Sequence, residues 1–278
     1  MLSALKKYLL VPKLVRLSAG APRDQRIAWD RFWSTVKATG AGGDVLWDSG
    51  SDREMKQYVH TLRLHLDTGL PVVDIGCGNG SFTRQLAGHF PDAVGVDVSA
   101  NAVQRARTES AGMANVSYTV RDMTAPGAGA GLMDELPVLG GEGGANVFIR
   151  GVFHVLPARD RLALAENVRA ITGANGRVFL AETDFQGNAL DYVAHLGATF
   201  RSIPGPLQNA IQGLPVPGRF GPKERTLAFP ATHWELIEDG PTTLETVPLS
   251  HPTQADLIPG YFAVLKARTS RLTRDQAG

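Results

Sequence analysis

Apolar positions along the chain follow two rhythms. Before residue 70 they recur at helical spacing. Trp29, Phe32, Trp33 and Val36 share one helical face, and Met55, Val59, Leu62 and Leu66 share another. Ser51 or Asp52 stands where a cap for the second helix is needed. After residue 70, short apolar runs alternate with amphipathic stretches. "PVVDI", "AVGVDV", "NVSYTVRD", "ANVFIRG" and "GRVFLAET" read as five strands. Between them, one helix presents Phe82, Leu86 and Phe90, and a second presents Val103 and Ala106 behind a Ser99 cap. A third presents Leu164, Val168 and Ile171 behind a proline. Nearly all-apolar strands interleaved with helices predict a parallel sheet covered on both faces.

Three stretches break the alternation. "APGAGAGLMDELPVLGGEGGA", between the third and fourth strands, is glycine-rich enough to predict a mobile surface loop. Residues 184–229 hold "LDYVAHLGATF", a predicted helix, and the Pro/Gly-rich "SIPGPLQNAIQGLPVPGRFGPKE"; an insertion of this length predicts a lid or binding loop. Further on, "PATHWELIEDG" predicts a helix closed by Gly240, followed by the strands "TTLETVPL" and "YFAVLKART". Their short connection makes those two strands antiparallel. The expected organisation is a helical lid or docking segment over residues 1–67 and an α/β domain over 68–278 carrying the 184–229 lid.

Composition narrows the classes. The 278 residues are 43% hydrophobic and 20% charged, ordinary for a globular protein, and a net charge of +1 gives no basic field for nucleic acid. A single cysteine, Cys77, excludes an internal disulfide and fits the reducing cytoplasm. No apolar run reaches membrane-spanning length. The opening "MLSALKKYLLVPKLVRLSAG" is interrupted at Lys6, Lys7, Pro12 and Lys13, too early for a signal peptide. Such a basic amphipathic segment can touch a membrane surface, but docking on the protein's own body is the stronger expectation. Oligomeric state leaves no mark on the sequence.

The chemistry concentrates in "VVDIGCGNG", where Asp74 precedes Gly76, Gly78 and Gly80 at alternate positions. Glycines after a buried strand let a ligand approach the main chain. A G-x-G-x-x-G spacing would suit pyrophosphate at a helix N-terminus. Here the spacing differs, and an acid before the turn repels phosphate and suits an ammonium. Asp97, ending the second strand, can accept from both ribose hydroxyls. Asp122, ending the third, can accept from an exocyclic amine, with Met123 adding an adaptable apolar side chain. Three acids at successive strand ends describe a nucleoside with a cationic tail and no phosphate. S-adenosylmethionine (SAM) is such a ligand.

"VVDIGCGNG", "GVDVS" and "RDM" at these spacings resemble the three cofactor motifs of class I SAM-dependent methyltransferases. The resemblance implies a Rossmann-like, seven-stranded, mostly parallel sheet with helices on both faces and an antiparallel C-terminal strand. It implies SAM as cofactor and S-adenosylhomocysteine as product. By the same resemblance, Gly76 and Gly78 let the backbone pass the amino-acid part of the cofactor, and Asp74 orients their turn. Asp97 takes the ribose, Val98 packs on the adenine, Asp122 meets its amine and Met123 lies beside the ring.

The fourth strand, "NVFIRGVFHVL", departs from the Asn- or Asp-Pro-Pro-aromatic motif of many DNA and protein N-methyltransferases. With Arg150 and Gly151 there, it is similar to the small-molecule methyltransferases, and Arg150 is expected to support the pocket by its backbone carbonyl. The expected reaction is methyl transfer to a small, fairly apolar molecule, with an oxygen acceptor favoured over nitrogen or carbon. His154 is the candidate base; its alternative role is capping the turn or packing under the lid. Glu182 and Asp184 are weaker candidates. Trp29, Trp33 and Tyr192 are expected in the substrate wall. Cys77 reads as a small filler without a partnering base, and no residue cluster has metal-ligand spacing. A SAM-binding protein without methyl transfer, such as a cyclase or a cofactor-sensing partner, is the second reading. A nicotinamide oxidoreductase, the third, lacks its glycine fingerprint here.

Overall fold

A computed structural model describes residues 7–139, 144–249 and 255–268. Residues 1–6 of the N-terminal segment and 140–143 of the glycine-rich stretch lie outside that range. Seven strands form one sheet in the order β3-β2-β1-β4-β5-β7-β6. They are β1 (Val72–Ile75), β2 (Ala93–Asp97), β3 (Val116–Val120), β4 (Asn146–Arg150), β5 (Arg177–Thr183), β6 (Trp234–Glu245) and β7 (Leu257–Ala267). Strands β1 to β5 pair in parallel, and β7 runs antiparallel to both β5 and β6. The expected architecture is therefore observed. The chain steps outward from β1 to β3 and then returns to place β4 on the other side of β1. Between β1 and β4 the connection reverses, and such a reversal opens a crevice beyond the strand ends.

Among the described residues, ten α-helices surround the sheet. Over the crevice lie α1 (Val11–Ser18), α2 (Gln25–Thr35), α8 (Ala189–His195) and α9 (Gly205–Gly213). Against the sheet faces pack α3 (Arg53–His65), α4 (Ser81–Leu86), α5 (Ala100–Glu109), α6 (Ala128–Glu135), α7 (Ala158–Thr172) and α10 (Pro222–Ala228). One face buries Leu132, Leu164, Val168 and Phe229 against β1, β4 and β5. The other buries Met55, Tyr58, Leu62 and Leu86 against a row of rings, Phe82, Phe148, Phe179 and Phe262, spaced 5.5–6.1 Å apart. Alternate side chains of a strand point to opposite faces, so a strand buried on both sides is apolar but for a residue kept for the site, as Asp74 is in β1. All four residues of β1 are buried.

Two expectations need correction. The stretch after β3 is not a loop throughout. Residues Ala128–Glu135 form α6, followed by a 3-10 turn at Pro137–Leu139, and Leu132 and Leu139 are fully buried. Each such leucine gains about 1.5–3 kcal/mol by burial, which outweighs the roughly 1 kcal/mol that each helical glycine costs. Gly129 is small for a packing reason: a Cβ there would overlap the Asn167 carbonyl of α7, and the Asn167 amide oxygen accepts from Gly129 N at 2.9 Å.

The second correction is at "HWELIEDG", which is not a helix but the first half of β6, paired with β7 through a bulge between Leu236 and Glu238. Strand β6 is the sheet edge, so Glu235, Glu238 and Asp239 face water and mask the alternation that marks a buried strand. The end of the 184–229 insertion also leaves the crevice: Phe220, Ala228 and Phe229 join the main core.

Candidate functional site

The glycine turn joins β1 to α4 at the crevice. Gly76 N and Cys77 N donate to Val96 O of β2, at 2.7 and 3.1 Å, which fastens the turn to the neighbouring strand. Gly76, Gly78 and Gly80 have φ of 76°, 54° and 75°, a left-handed region that side-chain-bearing residues rarely adopt. Their missing side chains also admit protein groups. A Cβ on Gly76 would overlap Val152, one on Gly78 would lie 2.8 Å from the Trp33 ring, and one on Gly80 would overlap the Tyr118 hydroxyl. Cys77 packs with Val103, Ala106 and Tyr118, and burial pushes its thiol up, so it is a filler and not a nucleophile.

The three acids converge on a common cavity of about 850 Å³. Asp74 is buried and accepts from Thr83 Oγ1 at 2.5 Å. Burial raises its carboxyl to about 7, with Asp97 adding to the rise and the Thr83 hydrogen bond opposing it. Asp97 accepts from Gly78 N through Oδ2 and from Ser99 N through Oδ1, both at 2.9 Å. One side chain thus sets the glycine turn and the end of β2 together. Burial raises Asp97 as well, against the pull of those backbone donors. Asp122 accepts from Thr124 N and Oγ1 through Oδ1, at 2.9 and 2.6 Å, while its Oδ2 lies 3.9 Å from Arg26. Val98 and Met123 line the same cavity.

Arg150 lines the cavity as well, and what was not foreseen is the role of its side chain. Its visible work is done by the side chain, which is buried in a bidentate pair with Glu54 at 2.8 and 2.7 Å. The guanidinium also donates to Trp47 O and Glu245 O, at 3.1 and 2.9 Å. Burial alone would lower its pKa, but Glu54 outweighs that and holds the guanidinium charged. Arg150 therefore fastens the N-terminal segment and the end of β6 to β4.

His154 sits on a 3-10 turn, Phe153–Val155, just after β4 and in the cavity wall. Glu182 at the end of β5 is fully buried and accepts from Val152 N and Phe153 N through Oε1, and from His154 N through Oε2. The same Oε2 lies 2.8 Å from His154 Nδ1. With Glu182 already an acceptor for three backbone donors, the imidazole completes the set as an Nδ1–H donor and leaves Nε2 outside this network. Glu182 is thus spoken for. Asp184 pairs with Arg219 at 3.1 Å and is outside the cavity lining.

The roof is apolar and comes from α1, α2, α8 and α9, with Trp29, Trp33 and Tyr192 in the wall as expected. Burial pushes Tyr192 up to about 12, so its phenol stays protonated at neutral pH. The polar ties that hold the roof were not foreseen. Asp30 accepts from Ser99 Oγ at 2.8 Å, Asp48 from Asn79 Nδ2 at 2.8 Å, and Val155 O from Gln25 Nε2 at 3.0 Å. Trp47, edge-on to Trp29, was also missed. These partners are far apart in sequence, and no local pattern announces them.

Comparison with known proteins agrees with this geometry. The model of a methyltransferase domain family matches residues 72–176, from β1 to the threshold of β5. No curated protein sequence matches the chain. Among solved structures, the chain is similar to a SAM-dependent methyltransferase from Anabaena variabilis, with 27% identity over 90% of this chain and 97% of that one and a TM-score of 0.74. It shares its fold with a SAM-dependent methyltransferase from Methanosarcina mazei, at 14% identity, 74% and 95% coverage and a TM-score of 0.52. It shares it too with the N-methyltransferase NodS from Bradyrhizobium japonicum, solved with S-adenosylhomocysteine, at 14% identity, 88% and 100% coverage and a TM-score of 0.51. The seven-stranded sheet with one reversed strand is a Rossmann-like methyltransferase fold, and three acids stand at its crevice. The chain carries a methyltransferase domain on the class I fold, and the protein is a SAM-dependent methyltransferase.

Proposed function

We propose that this methyltransferase acts on a small, mostly apolar molecule at a hydroxyl oxygen, and that His154 accepts the proton. One observation carries the reading: an imidazole fixed by Glu182 stands in the wall of the cavity that also contains the glycine turn and the three acids. The residues suit the cofactor, because Asp97 is prealigned by two backbone donors and Asp74 is a buried acid without a cationic partner among its described contacts. Asp97 would hold the ribose, Val98, Asp122 and Met123 the adenine, and Gly76, Gly78 and Asp74 the amino-acid end. When bound, SAM supplies a methyl group activated by its sulfonium.

The chain's own residues contribute alignment, exclusion of water and a proton acceptor. About 850 Å³ lies within the usual range of small-molecule cavities, roughly 300–1,000 Å³, and leaves room for an acceptor beside the nucleoside. Leu14, Trp47, Leu207 and Ile211 make the acceptor's surroundings apolar and limit water. An enclosed apolar compartment and a net charge of +1 favour a small molecule over a nucleic acid. The lone cysteine supports a reducing compartment such as the cytoplasm.

The test is a screen of hydroxylated apolar compounds for a mass gain of one methyl in the presence of SAM, followed by variants on the best acceptor. His154→Ala should lower turnover by about 10²- to 10⁴-fold with SAM affinity retained. Glu182→Gln should cost less and change the pH profile of turnover, since it removes the negative charge beside the ring and weakens the hold on the turn that carries it. Turnover within a few fold of wild type in folded His154→Ala would remove the base and favour a nitrogen or carbon acceptor.

A further inference from the structure

The helix α1, together with the 3-10 turn Lys7–Leu10 that leads into it, has two apolar sides. Its inner side packs into the roof: Leu10 is buried, and Leu14 and Leu17 are partly buried against the same cluster. Its outer side is apolar as well. Leu9 and Val15 are each 63% exposed, and Val11 and Pro12 are exposed beside them. A helix that only docks on its own protein needs one apolar stripe, with polar residues opposite. The second stripe therefore lacks an explanation within the fold.

We propose that this outer face of α1 docks on an anionic membrane surface and presents the cavity mouth to the bilayer. Charge points to that occupant. Lys13 and Arg16 flank the apolar row, Lys6 and Lys7 precede it and Arg23 follows it, while the first acidic residue is Asp24. The whole chain is only net +1, so its positive charge is concentrated at this end. Apolar residues that enter the acyl boundary, with basic residues at headgroup level, make an interfacial helix. A second copy docking through this face would bring the same cations together and be repelled. The position of the cavity points the same way. Val15 lines it although largely exposed, and so does Val216 at 66% exposure, so the apolar collar runs from the helix face into the mouth. Delivery of an apolar acceptor from the lipid phase rests on the proposed function; the docking itself does not.

Flotation of the full chain with vesicles of phosphatidylcholine and phosphatidylglycerol, against phosphatidylcholine alone, tests the proposal. The protein should float with the anionic vesicles, less at high salt, and only weakly with the neutral ones. Leu9→Glu/Val11→Glu should reduce binding by tenfold or more. Lys13→Gln/Arg16→Gln should reduce it about 25-fold, since each cation near an anionic surface contributes roughly fivefold. None of these four side chains lines the cavity, so SAM affinity by calorimetry should stay at the wild-type value. That readout separates failure of docking from failure of the site. No flotation of the wild-type chain, equal flotation with neutral vesicles, or flotation indifferent to both variants would overturn the proposal. So would concentration-dependent self-association that Leu9→Glu/Val11→Glu abolishes, which would make a second copy the occupant.

Discussion

Arg150→Met should destabilise the protein severely, because of what it leaves behind. Arg150 and Glu54 are 6% and 3% exposed, and two short hydrogen bonds join them. Glu54 also accepts from Tyr58 Oη at 2.8 Å and from Glu245 N at 2.7 Å. Methionine keeps much of the arginine's stem volume but strands the Glu54 charge and removes the donor to Trp47 O and Glu245 O. Removing one partner of a buried pair costs about 3–5 kcal/mol. At about 2–4 °C per kcal/mol for a large domain, the thermal midpoint should fall by roughly 6–20 °C. Urea unfolding measures the free energy directly. Glu54→Gln/Arg150→Met should recover part of the loss, since no charge is then left unpaired, with a coupling of about 0.5–3 kcal/mol. Hydrogen exchange across residues 46–58 should also quicken in the single variant, because Arg150 ties that segment to β4. A loss below about 1 kcal/mol, or two single effects that simply add, would refute this account of the network.

Asp74 gives a pH signature. Its carboxyl, raised to about 7, keeps in the folded state a proton that the unfolded chain has released above its ordinary value of 3.8, so stability of the ligand-free protein should fall as pH rises across that window, by up to about 4 kcal/mol. Asp97, also raised, acts in the same direction, and Asp74→Asn should flatten the slope in urea unfolding at pH 5 against pH 8; an unchanged slope would contradict the assignment. Gly129→Ala should destabilise despite alanine's better helix propensity of about 1 kcal/mol, because its Cβ meets the Asn167 carbonyl. A gain in thermal midpoint for that variant would show that α6 has room to shift.

The first five strands were legible because burial on both faces demands continuous apolar runs, and the glycine turn was legible because positive φ selects glycine. Strand β6 was not, since its edge position leaves Glu235, Glu238 and Asp239 in water. The helix α6 was hidden by glycines that read as mobility but serve close packing on α7. In the site, Asp74, Asp97 and Asp122 could be placed because each lies within two residues of the end of a recognisable strand. The pairings Glu54–Arg150, Asp48–Asn79 and Glu182–His154 could not, because only the fold brings residues so distant in sequence together.

Calorimetric titration of SAM into the wild-type protein and Asp97→Ala tests the central claim most directly. The account predicts one SAM per wild-type chain and an affinity weaker by about 1.5–3 kcal/mol in the variant, roughly 10- to 150-fold, with far-UV circular dichroism unchanged. The loss combines the hydrogen bonds offered to the cofactor with the freed Gly78 N and Ser99 N, which lose their acceptor. Equal SAM affinity in the two proteins would contradict the claim that the acids at the strand ends hold the cofactor.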